Sequence, residues 1–158
     1  MISNQTVVAR GLVTEQEVYA IHAKVECLLE QAGAPRLDGF YFCPHHPQAT
    51  LPAYRIACEC RKPRPGLLLR AAREHNLNLI ASFVVGDRIT DVIAGARAGC
   101  RTVLVQTGKH TAPPIEPVEP HDRSIQPDYT CANLSEAVKW ILMAKNKHTI
   151  AWERGDSR

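Results

Sequence analysis

The sequence of 158 residues has few aromatic residues, no strong excess of charge and no long apolar run. Phe, Trp and Tyr make up 6% of it, and the formal net charge is +3 without a block of Lys and Arg. Proteins that bind nucleic acids rely on basic stripes and stacking aromatic rings, so we expect no nucleic-acid partner. No apolar stretch approaches the ~20 residues that span a bilayer, and the first residues lack the charged-then-apolar order of a signal peptide. These absences predict a cytoplasmic protein without a membrane partner.

Six cysteines are present, and a cytoplasmic chain rarely uses them for disulfide bonds. Three of them lie within 18 positions of one another and indicate a metal site or free thiols. The other three are isolated in apolar surroundings, and we expect them to be small buried side chains, namely Cys27, Cys100 and Cys131.

Short apolar runs alternate with helical patterns along most of the chain. We predict strands over 1–4, 39–43, 82–86, 101–106 and 128–131, and a polar turn over 5–10. Thr14 and Glu17 form a capping box before a helix whose predicted buried face carries Val18, Ile21, Val25, Leu28 and Leu29. Further helices are predicted from Pro65, before Gly99 and over 135–144. This alternation predicts an α/β fold, a Rossmann-like three-layer arrangement in which one parallel sheet has helices on both faces.

Residues 1–145 are expected to form this domain, with a tail over 146–158. In such sheets the ligand lies at the carboxyl ends of the strands. Ser3, Asp87 and the residues after Phe42 all follow predicted strands, so we expect them to converge on one site. A proline- and histidine-rich loop is expected over 107–127.

An irregular, proline-rich segment, the zinc loop of residues 43–61, holds the clustered thiols. Cys43, His45, Cys58 and Cys60 supply the four thiolate and imidazole ligands that a closed tetrahedral Zn²⁺ site requires. A loop without a core of its own would gain its order from the metal. Chance clustering of thiols is the alternative, and His46 is the rival imidazole. Because adjacent side chains generally point apart, we expect one histidine to bind, and we predict His45.

Other polar residues suit a phosphoryl group and Mg²⁺. Asp87 follows a buried strand and Asp91 lies one helical turn later, which suits a direct and a second-shell magnesium ligand. Lys62, directly after the zinc loop, suits charge neutralisation at a phosphoryl group, and Ser3 and Asn4 suit hydrogen bonds to it. Each has an ordinary alternative: Asp87 as a helix N-cap, Lys62 as a solvated lysine, and Ser-Asn as a turn.

The order of these segments resembles the haloacid dehalogenase (HAD) superfamily, specifically the heptose-1,7-bisphosphate 7-phosphatases and the related histidinol-phosphate phosphatases. Tyr41-Phe-Cys-Pro-His-His-Pro and Cys58-Glu-Cys-Arg-Lys-Pro-Arg-Pro-Gly66 carry the resemblance, which extends from Ile2 to about Lys109. It implies that Ser3 and Lys62 bind the transferred phosphoryl group, that Asp87 binds Mg²⁺, and that the zinc is structural. It also implies substrate contacts for Arg61 and Arg88.

Two departures from the family pattern stand out. Thr6-Val7 follows Asn4-Gln5, where the family has a small residue and Gly. The Asp-x-Asp motif, which supplies the nucleophile and the general acid/base in the family, occurs nowhere in the 158 residues. Without a carboxylate nucleophile no covalent phosphoryl intermediate can form. We therefore expect the fold to be incomplete at the N-terminus, with an N-terminal segment or fused domain outside this sequence.

The resemblance implies a Mg²⁺-dependent hydrolase of a small phosphorylated sugar or similar metabolite, most simply heptose 1,7-bisphosphate at its 7-phosphate, with Zn²⁺ as a second metal. This chain alone is expected to be inactive because the nucleophile is missing. Two alternatives remain at this point: a histidinol-phosphate phosphatase, and a non-catalytic zinc-stabilised domain that binds a phosphorylated ligand or a partner.

Overall fold

The computed structural model describes residues 1–108, 111 and 119–153, with side chains as far as Lys145. It divides into two compact units, Met1–Leu77 and Asn78–Arg158. Part of the loop predicted over 107–127 lies outside the described residues, as do the last five residues of the predicted tail. None of the described helices is long and apolar enough to cross a membrane.

The first unit is built on a pair of parallel strands, β1 (Ile2–Asn4) and β2 (Tyr41–Cys43), with Ser3 opposite Phe42. Between them lie α1 (Thr6–Ala9) and α2 (Glu15–Gln31), and α3 (Gly66–His75) follows the zinc loop. The capping box of α2 is present as predicted: the Glu17 amide donates to the Thr14 hydroxyl, and the Thr14 amide donates to the Glu17 carboxylate. A single 3₁₀ turn, Pro52–Tyr54, interrupts the otherwise irregular zinc loop.

Three predictions for this unit are wrong in detail. Residues 6–9 form a turn of helix instead of a polar turn, because Val8 and Ala9 are buried against the unit. Ile21 and Leu28 of α2 are 55% and 51% exposed, and Cys27 is exposed too. A two-stranded sheet is narrow, so it covers only part of the apolar stripe of a 17-residue helix.

The second unit is built on three parallel strands in the order β3 (Phe83–Gly86), β4 (Arg101–Val105) and β5 (Tyr129–Cys131). Buried side chains of α4 (Ile89–Arg97), Val92 and Ile93 among them, belong to its core. A 3₁₀ turn, Pro120–Asp122, follows later, and Asp122 forms an ion pair with Arg97 of α4.

The last helix, α5 (Leu134–Glu153), covers the sheet of the second unit. Trp140 stacks on Tyr129, and Ala137 is fully buried with Val103, Val105 and Cys131. The helix continues nine residues beyond the predicted end at Ala144, into the predicted tail. Cys100 and Cys131 are buried, as predicted.

The described strands form two parallel sheets, of two and three strands, where the sequence predicts one. The α/β class, the parallel pairing and the interspersed helices are confirmed. In the second unit the register places Gly86 opposite Leu104, so the residues after β3 and after β4 leave the sheet at the same edge.

Candidate metal and phosphate sites

Four side chains of the zinc loop meet at one point in the first unit. The Sγ atom of Cys60 lies 3.0 Å from that of Cys43 and 3.1 Å from that of Cys58, and Cys43 and Cys58 are 3.5 Å apart. The Nδ1 atom of His45 lies 3.4 Å from the Cys60 sulfur and 3.8 Å from the Cys43 sulfur. Since a disulfide requires about 2.05 Å between sulfurs, these separations describe free thiols around a common centre.

Of the two adjacent histidines, His45 and not His46 lies with the three thiols. His46 is buried and turns away from the thiols, because its Nδ1 accepts a hydrogen bond from the Gln48 amide at 3.0 Å. His45 instead belongs to the group whose ligand atoms all lie within 4.8 Å of one another. The predicted set of Cys43, His45, Cys58 and Cys60 is therefore brought together as one cluster.

The chemistry of this donor set fits Zn²⁺, because three thiolates and one imidazole form one of its usual closed structural sites. Burial raises the pKa of the Cys43 and Cys60 thiols. Burial acts in the same direction on Cys58, but hydrogen bonds from the neighbouring thiols and the backbone outweigh it and lower the pKa of that thiol. Three adjacent thiolates without a cation would repel one another, so a divalent metal is the natural counter-charge.

Arginine side chains and a glycine hold the loop in shape. The guanidinium of Arg61, which is 6% exposed, donates to the His45 carbonyl at 2.9 Å and to the Thr6 hydroxyl at 3.1 Å. Arg64 donates to the Cys58 carbonyl at 2.6 Å. Gly66 lies so close to the Glu59 carbonyl that no side chain would fit there. Arg61 thus ties the zinc cluster to α1, and its contact with substrate stays a prediction.

Both the backbone and the side-chain ammonium of Lys62 form hydrogen bonds to residues of β1. Its backbone amide donates to the Asn4 Oδ1 at 3.1 Å, and the Asn4 Nδ2 donates to the Lys62 carbonyl at 3.1 Å. Its ammonium Nζ donates to the Ile2 carbonyl at 3.0 Å. Lys62 therefore contacts the residues on both sides of Ser3, and the predicted phosphate-binding group of Ser3, Asn4 and Lys62 is brought together. The Lys62–Pro63 peptide bond is cis.

The Ser3 hydroxyl accepts a hydrogen bond from the Gln5 side-chain amide at 3.2 Å. A hydroxyl that accepts from a neighbour keeps its own proton for another acceptor. The Ser3 hydroxyl, on β1, can therefore donate to an anionic oxygen.

The predicted magnesium residues lie after β3 in the second unit. Arg88, not Asp87, occupies the N-cap position of α4, so the alternative that Asp87 is a simple cap is not supported. The buried Asp91 takes the capping role, since its carboxylate accepts from the Arg88 amide at 3.0 Å. Its carboxylate also lies directly against Gly86. The second-shell role of Asp91 and the substrate contact of Arg88 stay predictions.

The half-buried Asp87 side chain lies in a space that Gly108 keeps open. A Cβ atom at Gly108 would lie 2.6 Å from the Asp87 Oδ2. Mg²⁺ is usually held by one or two carboxylates together with phosphate oxygens and water. Asp87, at the end of β3 and beside the Gly108 backbone, could supply one of the carboxylates that such a site requires.

Sequence reasoning missed several residues of these sites. Thr6 is one of them, because its partner Arg61 lies 55 positions away and no local pattern indicates such a bond. Asn4 is predicted as a phosphate ligand, but its hydrogen bonds to the Lys62 backbone, 58 positions away, are not. Gly108 offers a weak signal, a glycine shortly after a predicted strand. Outside these sites, the sequence gives no sign that His22 is 4% exposed and stacks on Phe40, with no hydrogen-bond partner at either ring nitrogen among the described residues.

Comparison with known proteins gives a consistent result. The model of the HAD-hydrolase-like family matches residues 59–137. A D-glycero-β-D-manno-heptose-1,7-bisphosphate 7-phosphatase from Yersinia pestis is 44% identical over 110 residues, 69% of this chain and 58% of that protein. The proteins of the same name from Escherichia coli K12 and Rhodopseudomonas palustris are 39% and 46% identical, and 61% and 54% of their lengths are covered. This chain therefore spans somewhat more than half the length of these curated relatives.

Two solved structures share the fold. The D,D-heptose 1,7-bisphosphate phosphatase from B. bronchiseptica, in complex with magnesium and phosphate, is 32% identical with a TM-score of 0.72 over 90% of this chain and 73% of that one. A HAD-like phosphatase from Mesorhizobium loti is 28% identical with a TM-score of 0.70 over 89% of this chain and 62% of that one.

Proposed function

Because the chain belongs to the HAD-hydrolase-like family, we propose that it carries the phosphate-binding and metal-binding part of a phosphatase that removes the 7-phosphate of a heptose 1,7-bisphosphate. The relatives that bear this name support the substrate class. So does the long zinc loop of residues 43–61, since the related histidinol-phosphate phosphatases carry a shorter one.

One observation carries the proposal: the zinc loop delivers Lys62 to the end of β1. Cys58 and Cys60 lie four and two positions before Lys62. The side-chain amide of Asn4 accepts from the Lys62 backbone amide through its oxygen and donates to the Lys62 carbonyl through its nitrogen. A cation held between backbone and carbonyl partners is preorganised for charge that develops on a phosphoryl group. Random surface lysines lack such fixation and are far weaker anion ligands.

Within this proposal, the zinc cluster acts structurally. Four protein ligands close a tetrahedral site and leave no position for water or substrate. The ordered loop then presents Arg61 and Lys62 in sequence beside β1.

Magnesium, when bound, would neutralise charge on the phosphoryl oxygens, and Asp87 would hold it. In the second unit Asp91 keeps the turn after β3 in shape by capping α4. The magnesium and phosphate in the B. bronchiseptica phosphatase support this assignment.

The attacking group is not among the 158 residues. In the family an Asp of an Asp-x-Asp motif attacks phosphorus, and the sequence has only Asp38, Asp87, Asp91, Asp122, Asp128 and Asp156, none in that pattern. We propose that this chain by itself binds but does not hydrolyse the ester. The absence of the motif equally favours the second candidate function, a zinc-stabilised domain that binds a phosphorylated ligand without turnover.

Phosphate release from heptose 1,7-bisphosphate and from histidinol phosphate, with Zn²⁺ and Mg²⁺ supplied, tests this proposal. We expect no release above the uncatalysed rate, while the heptose bisphosphate protects the chain against thermal unfolding more than histidinol phosphate does. Metal-dependent release by residues 1–158 would show that another group of this chain attacks phosphorus. Protection by histidinol phosphate alone would reassign the substrate.

A further inference from the structure

A glycine in the second unit approaches the Asp87 carboxylate more closely than a side chain would allow. Gly108 follows β4, and its φ is +89°. A Cβ atom at this position would lie 2.6 Å from the Asp87 Oδ2, 3.3 Å from its Cγ and 3.5 Å from its Cβ. Real Cβ atoms essentially never come within 3.0 Å of another heavy atom, so a methyl group and this carboxylate cannot occupy their places together.

Other glycines with positive φ do not show this combination. Gly99, after α4, has a φ of +80°, and Gly33, after α2, has a φ of +70°; neither has any atom within 4 Å of an added Cβ. Both are explained by the left-handed backbone that ends a helix. At Gly11 the nearest atoms are those of Leu51 at 3.5 Å, which is ordinary contact. Among the described residues, Gly108 is the positive-φ glycine whose missing side chain also makes room for a carboxylate.

The geometry points to Gly108 as a positioning residue for Asp87, which it holds in the orientation that binds Mg²⁺. Since β3 and β4 are parallel, with Gly86 opposite Leu104, the segments that follow them leave the sheet at the same edge. The backbone at Gly108 therefore lies beside the Asp87 carboxylate and bounds the space around it. The colliding atom is the far end of a short side chain, so a methyl group at 108 would rotate the carboxylate away and leave the fold intact. This inference rests on the proposed function, because it takes Asp87 as the magnesium ligand.

The test compares Gly108→Ala with Gly99→Ala by titration with Mg²⁺ in the presence of inorganic phosphate, followed by calorimetry. Both variants place a Cβ at a positive φ, so both carry the same backbone strain, but only the first meets Asp87. We expect Gly108→Ala to raise the Mg²⁺ dissociation constant about tenfold or more, as outer-shell changes at metal sites do. Gly99→Ala should stay within about twofold of wild type, well inside that effect.

A second readout needs no metal: the ¹³C resonance of the Asp87 carboxyl carbon, assigned by its loss in Asp87→Asn. We expect Gly108→Ala to shift this resonance and Gly99→Ala to leave it unchanged. An unmoved resonance or an unchanged dissociation constant in Gly108→Ala overturns the inference, as does an equal loss in Gly99→Ala. If wild type itself binds no Mg²⁺, the proposed magnesium site is wrong, and the role of Gly108 at that site is wrong too.

Discussion

At the scale of single residues, the first unit contains a histidine in an apolar setting. His22 on α2 stacks on Phe40 with ring centroids 4.6 Å apart and meets Phe42 edge-on at 5.8 Å. Both of its ring nitrogens are buried without a hydrogen-bond partner. Burial lowers its pKa because the charged imidazolium is poorly solvated there.

This burial predicts acid sensitivity. Between the unfolded pKa of about 6.5 and the lower folded pKa, the unfolded chain binds more protons, so the free energy of unfolding falls as pH drops below 6.5. One such group can lower the free energy of unfolding by at most about 2 kcal/mol between pH 6.5 and 5. We expect His22→Phe to remove this loss, as measured by urea unfolding at several pH values.

Leu28→Phe serves as the control, because it introduces the same side chain at an exposed, non-titratable position of α2 and should leave the wild-type pH profile unchanged. A wild-type stability that is flat from pH 7 to 5, or a His22→Phe profile identical to wild type, would contradict the prediction.

Asn4 offers a second prediction at this scale. Asn4→Ala removes both hydrogen bonds to the Lys62 backbone, so we expect inorganic phosphate to bind about tenfold more weakly, the loss of roughly 1.4 kcal/mol. Gln31→Ala is the matched control, because it removes an exposed amide bonded only to the Cys27 sulfur. Unchanged phosphate affinity in a folded Asn4→Ala protein would refute the positioning role.

At the scale of elements, we predict that the zinc loop depends on a bound metal for its order. Cys58→Ser removes one of four ligands, so we expect it to lose the single zinc per chain and to melt at a lower temperature. Cys27→Ser changes an exposed thiol and should keep both. Elemental analysis and thermal unfolding with and without a chelator measure the effect. A chelator that leaves the wild-type melting temperature unchanged would show that the loop is ordered without metal.

The strands and most helices could be predicted from local patterns. Apolar runs such as Ser82–Gly86 are typical of buried parallel strands, and the Thr14 cap marks the start of α2 within the sequence itself. The single turn of α1 could not be predicted, because a four-residue helix gains its stability from the burial of Val8 and Ala9. An apolar stripe such as that of α2 shows which face can be buried, but not how much of it is covered.

The candidate sites divide in the same way. The four zinc ligands could be predicted because their spacing is short and their chemistry is distinctive. The position of His45 beside the three thiols supports its prediction as the fourth ligand, while His46 accepts a hydrogen bond from Gln48 inside the folded loop. The Asn4–Lys62 clamp and the approach of Gly108 to Asp87 depend on how distant segments meet, and the sequence does not encode those meetings locally.

At the scale of the whole molecule, the chain belongs to the HAD-hydrolase-like family and divides into two compact units. It spans somewhat more than half the length of the phosphatases that it matches. The first unit supplies a Cys/His cluster that could hold zinc and the hydrogen-bonded Lys62, and the second supplies the Asp87 carboxylate. We propose that these residues bind the ligand and the metals and do not attack phosphorus.

Binding of heptose 1,7-bisphosphate to wild type, Lys62→Ala and Lys24→Ala tests whether Lys62 binds the phosphoryl group. Lys24 is an exposed lysine of α2 and controls for loss of charge alone. We expect the bisphosphate to bind to wild type and Lys24→Ala alike and about tenfold or more weakly to Lys62→Ala, as for the loss of a charge-assisted hydrogen bond. Equal affinity for all three proteins, or no binding to wild type, would contradict this expectation.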